Sequence, residues 1–94
     1  MVTVAQVRDV VVKVVATSVS AKRTVAVEVS DSGFVCGVRL LSGAVRQWDT
    51  WDFGERVVAV AGVAHDRYIA NLPNREGRPP TLDEVAAAER KLNF

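Results

Sequence analysis

With 94 residues and a mass of 10.2 kDa, the chain has room for one domain spanning 1–94 and one modest core, which a partner subunit could readily supplement. Hydrophobic residues at 49% and charged residues at 24% place it among ordinary globular proteins rather than disordered or membrane chains. A formal charge of +1 lacks the strongly basic footprint of most nucleic-acid-binding domains, and the single cysteine, Cys36, excludes an internal disulfide framework.

The valine-rich amino terminus is interrupted by Gln6, Arg8, Asp9 and Lys13, and no apolar run reaches bilayer-spanning length. It also lacks the basic leader and small-residue cleavage pattern of a secretion signal, so a cytoplasmic location is expected. Heavy use of Val, Ala, Arg and Gly is the residue usage of GC-rich bacterial or phage coding sequence.

The first element is expected over Thr3–Thr17. Val4, Val7, Val11, Val14 and Val15 fall on one helical face, with Gln6, Asp9, Lys13 and Thr17 opposite, and Thr3 and Gln6 have capping-box spacing. Valine favours strands, but the stripe has a period of about 3.6 residues, so a helix is expected. Ser18 to Arg23 reads as a polar connection.

Thr24 to Trp51 carries the strongest strand signal. Val25, Val27 and Val29 alternate with Thr24, Ala26 and Glu28, the pattern of a strand buried on one side. Ser30 to Gly33 suits a tight reversal, and Phe34, Cys36, Val38 and Leu40 continue the buried face. Ser42 and Gly43 then lead into a third strand, Ala44 to Trp51. Counting from the loops pairs Val29 with Phe34, Val27 with Cys36, Val25 with Val38, Arg39 with Arg46, Gly37 with Trp48, and Phe34 with Trp51.

Asp52 to Leu72 reads as a helix: Val57, Ala61, Ala64, Tyr68 and Leu72 line one side, and Asp52 and Glu55 have capping-box spacing. Pro73 to Pro80 is a loop. Thr81 and Glu84 open a last helix whose apolar face holds Leu82, Val85, Ala88 and Leu92. The expected architecture is α+β and two-layered, a three-stranded antiparallel meander packed against helices in the order α-β-β-β-α-α.

The second sheet face is left for water or a partner. On it the counted register places Arg39, Arg46 and Trp48, with Lys22 and Arg23 near its edge. Arginine and tryptophan together suit an anionic or aromatic-accepting partner, although an ordinary packing role for Trp48, shielding Gly37, weighs more. His65 beside Asp66 reads as a helix-surface residue, because adjacent helical side chains diverge. Cys36 reads as a small buried hydrophobe, and Asp49 and Asp52 as turn residues rather than a metal site. Arg75 and Arg78 form a small basic cluster in the loop, of the kind that serves solubility.

No glycine-rich phosphate loop, nucleophile elbow, zinc-type cysteine spacing or calcium loop occurs. No catalytic residue, metal, cofactor or small-molecule substrate is therefore assigned, and the chain reads as a non-enzyme. The leading expectation is a small interaction or regulatory protein that contacts protein partners or copies of itself. The alternative is nucleic-acid binding: α-β-β-β-α resembles the element order of the double-stranded-RNA-binding domain, and β-β-β-α that of the integrase amino-terminal DNA-binding domains. That resemblance is one of topology alone, and the basic helix start of the RNA-binding family is replaced here by DFGERVV. An assembly component of capsid type is the third expectation.

Overall fold

The computed structural model describes residues 12–94. Three antiparallel strands, β1 (Val14–Val19), β2 (Val25–Ser30) and β3 (Val35–Leu40), form a sheet in the order β1-β2-β3. A short 3₁₀ turn (Gly43–Gln47) leads into helix α1 (Thr50–Ala70), and helix α2 (Leu82–Arg90) follows the loop. The class is α+β, with both helices on one side of the antiparallel sheet.

β2 is central because both of its edges are paired and its alternation is strict. Val25, Val27 and Val29 are wholly buried and meet Val60, Val63 and Ala64 of α1 and Val85 of α2 in one cluster. The alternate positions Thr24, Ala26 and Ser30 are small and also buried. Beyond the end of β1, Ser20 Oγ accepts the amides of Thr24 (3.0 Å) and Val25 (3.2 Å), so the β1–β2 turn leaves neither donor orphaned.

The first expected element is corrected where it can be seen. Residues 3–11 of the expected helix Thr3–Thr17 lie outside the described residues, and Val14–Thr17 belong to a strand, so the described order begins β-β-β rather than α-β-β-β. Pairing decides it: Ala16 lies opposite Val29 and Thr17 opposite Glu28, with Val15 as the extra residue of a bulge. Where nearly every residue is Val or Ala, a helical stripe and a strand face can be drawn through the same letters, and strand partners settle the matter.

The first hairpin is also offset. Val25 faces Leu40 and Val27 faces Val38, two residues from the counted register, while Val29 faces Val35 across a second bulge at Cys36. A slip of two preserves the face, so Val38 and Leu40 stay on the side of the buried valines. The turn closes on a different pair than counted: Ser30 N–H donates to the Phe34 carbonyl at 2.8 Å, and Gly33 takes φ 85° beneath the Tyr68 ring. Phe34, expected inside, is exposed, and so is Cys36.

The expected third strand, Ala44 to Trp51, does not form. Ser42 Oγ accepts the Ala44 amide at 3.1 Å and starts the 3₁₀ turn, while Asp49 Oδ1 accepts the Asp52 amide at 2.8 Å and starts α1 at Thr50. Two side-chain caps at this spacing convert an aromatic-rich stretch into helix starts. Pro73 to Pro80 contains neither helix nor strand, and the Thr81–Glu84 capping box is formed in both directions.

Candidate functional site

The residues expected on one basic and aromatic face are dispersed. Arg39 does lie on the sheet face turned away from the helices, opposite Ala26, but its guanidinium meets Glu28 at 3.5 Å. Arg46 sits in the 3₁₀ turn, away from the sheet, and Lys22 and Arg23 occupy the β1–β2 turn. Trp48 is half-buried on the helix side: the Phe94 ring meets it edge-on at 5.8 Å and the Arg56 guanidinium covers it at 4.5 Å. The counted register had set Trp48 across Gly37. Instead, Glu28 flanks Gly37, with its Oε1 2.5 Å from where a Cβ would stand. The cause is the missing third strand, without which no residue lies opposite Arg39 except on β2.

Asp49 is the α1 cap described above, and His65 is exposed beside Tyr68, its ring 6.0 Å away. Among the described residues, no three His, Cys, Asp or Glu side chains lie close enough to hold a metal ion. No helix among them is long and apolar enough to cross a membrane.

One polar cluster went unread in the sequence. Glu89 of α2 receives the Arg67 guanidinium of α1 in a fork, Nη2 to Oε1 at 3.0 Å and Nη1 to Oε2 at 3.1 Å. Oε2 also accepts the Ser18 hydroxyl at 3.0 Å and the Val19 amide at 2.8 Å, while Arg67 donates to the Thr17 carbonyl. The Arg67 guanidinium holds the Glu89 carboxyl below its ordinary value against the opposing pull of burial, aided by Val19 and Ser18. Chemically this is a clamp: it ties both helices to the outer edge of β1 and satisfies that edge's Thr17 and Val19 peptide groups. Ala21 and Lys22 amides donate to the Leu92 and Phe94 carbonyls, at 2.8 and 3.0 Å, and extend the seal.

Among the described residues, nothing covers the opposite side of the domain. α1 packs chiefly on β1 and β2 and only grazes β3. Val35, Val38 and Leu40 therefore stand on the helix side of the sheet with no helix above them, 51%, 46% and 54% exposed. Since Leu41 N–H donates to Thr24, the alternate peptide groups of Val38 and Leu40 point outward from the sheet. α2 and Arg67 occupy one flank of α1. Tyr68, reaching the β2–β3 turn, marks the other, and beyond it runs an outer stripe containing Trp51 (73% exposed), Gly54, Val58 (70% exposed) and Gly62. Exposed apolar surface on both β3 and the adjoining helix is the feature of this chain that ordinary packing leaves unexplained.

Comparison with known protein families, curated proteins and solved structures finds no match.

Proposed function

We propose that this protein is a protein-interaction module rather than an enzyme, and that it works through the apolar surface shared by β3 and the outer stripe of α1. What supports this is the pairing of two uncovered apolar faces on a domain whose β1 edge is sealed from Thr17 to Lys22. Val35, Val38, Leu40, Trp51 and Val58 together leave on the order of 500 Å² exposed, which approaches the ~800 Å² per partner of a standard interface. An aromatic anchor flanked by aliphatic residues is the usual composition of an interface centre. The best-placed charged cluster, Arg67–Glu89, is engaged in holding the fold together.

Trp51 reports on the surface directly. In a Trp48→Phe background, fluorotryptophan labelling leaves one fluorine resonance, at Trp51, to be followed in dilute buffer, in concentrated buffer and in extract of the native cell. A shift and broadening in either crowded condition is expected as the ring is covered. A Trp51 signal that stays that of a water-exposed indole in all three defeats the reading.

A further inference from the structure

Resting on that interaction surface, we propose that its occupant is a second copy of this chain, in a two-fold dimer where the outer stripe of each α1 lies on the bare helix-side face of the partner's β3. The two surfaces complement each other. Among the described residues, no helix lies above Val35, Val38 and Leu40 of β3, although its neighbours β1 and β2 have one. The outer stripe of α1 lacks a sheet, although Trp51 and Val58 project from it. Each protomer thus carries both the surface that is needed and the surface that is offered, and one two-fold rotation satisfies both at once.

The glycines of α1 support a close approach. A Cβ at Gly54 or Gly62 would meet nothing within 4 Å, so no packing inside the protomer requires glycine at either position. Glycine nevertheless weakens a helix, and both lie on the outer surface that carries Trp51 and Val58. A strand seated on the helix would use that room, as close backbone approach elsewhere does. A near-zero net charge presents little repulsion between copies. The dimer would be a three-layer stack, sheet, two adjacent helices, sheet, in which each protomer buries both of its surfaces once and the complex therefore buries the area of two protomers.

The test uses two charge variants and their mixture. Val58→Lys places a cation on the helix stripe and Leu40→Glu an anion on the strand; both sites are exposed in the protomer, and circular dichroism confirms that each variant folds. Light scattering is expected to show a wild-type dimer at about 100 µM and each variant weakened at least about 100-fold, because every dimer meets the buried charge twice. Mixing the two variants is expected to restore a dimer, with one native contact and one Lys–Glu contact.

If the wild type dimerises but the mixture stays monomeric, the partners do not exchange helix for strand, and edge-to-edge pairing of β3 replaces the proposal. A monomeric wild type overturns the second copy as occupant, while a Trp51 resonance shifted in cell extract would still uphold the wider interaction reading. Wild type and both variants alike dimeric would place the dimer contact elsewhere and overturn the second copy as occupant of this surface, leaving the wider reading to the Trp51 resonance in extract.

Discussion

Replacing Glu89 with glutamine tests whether the clamp between helices and β1 sets the stability of the domain. Glutamine keeps the shape of the side chain, and its oxygen, placed where Oε2 now lies, still accepts from Ser18, Val19 and Arg67. The amide nitrogen then faces Arg67 Nη2 at the position where Oε1 accepts at 3.0 Å, donor against donor, and the ion pair is gone. A charge-assisted bond contributes roughly 1.5–3 kcal/mol; with Glu89 about a quarter exposed, the lower half of that range applies, and the loss is expected at about 2 kcal/mol. Glu89→Ala also strips the buried Ser18 hydroxyl and the Val19 amide of their acceptor, and the loss rises to about 4 kcal/mol. For 94 residues, that is a large part of a total of roughly 5–14 kcal/mol.

Urea unfolding followed by circular dichroism reads this as a midpoint lowered by ~1.5 M for the glutamine variant at neutral pH. The pH profile supplies a second reading. Because the folded carboxyl titrates below the ordinary value of 4.5, the unfolded chain binds the proton first as pH falls. The contribution of Glu89 is therefore complete above about pH 5 and declines as pH passes from there down through the lowered folded value. The glutamine variant lacks that component, so the difference between the two proteins narrows on acidification. An unchanged urea midpoint, or a gap independent of pH, would refute the clamp.

Two further substitutions address the turns. Gly33→Ala combines a left-handed φ of 85° with a Cβ only 2.9 Å from the Tyr68 ring, and is expected to cost about 2 kcal/mol in thermal or urea unfolding. In a Tyr68→Ala background the same change is expected to cost only the backbone part, and an equal cost would show that the ring is not in contact. Arg23→Gly relieves a φ of 57° in the β1–β2 turn and is expected to raise stability by about 0.5 kcal/mol, read as a higher melting temperature; a loss would mean that the Arg23 side chain, not its backbone, matters there. Gly62→Ala, on the outer stripe of α1, is expected to stabilise the diluted protomer by about 0.8 kcal/mol while weakening association measured by light scattering. A gain in both measurements would leave the glycine without an interface role.

What could be read from the sequence was what is decided locally. Thr81 and Glu84 form their capping box because its partners are three residues apart, and Val25, Val27 and Val29 are buried because alternation alone fixes their face. The α1 face was legible for Val57, Ala61, Ala64 and Tyr68, all packed on the core, though Val60 and Val63 were missed. On α2 and just past its end, Val85, Ala88 and Leu92 pack as expected while Leu82 is exposed. Failures came where distant partners decide. The bulge at Cys36 and the closure of the turn at Ser30 and Phe34 move the register by two, which counting along the chain could not show. Trp48 and Trp51 suggested a strand, and the short-range signal against it was present in the letters: Ser42 and Asp49, each able to cap the amide two or three residues on. Without that strand, the face of Arg39, Arg46 and Trp48 could not assemble. The Arg67–Glu89 fork and its hold on Ser18 and Val19 join residues up to 71 positions apart, beyond any periodicity.

That separation has a consequence during synthesis. β1 leaves the ribosome long before Glu89, Leu92 and Phe94, so a nascent chain with its meander already formed carries a sheet with both margins bare. Such an intermediate is most vulnerable to intermolecular strand addition until the last residues dock. Clumping on slow translation or refolding should therefore be governed by α2, the element that contributes no strand at all.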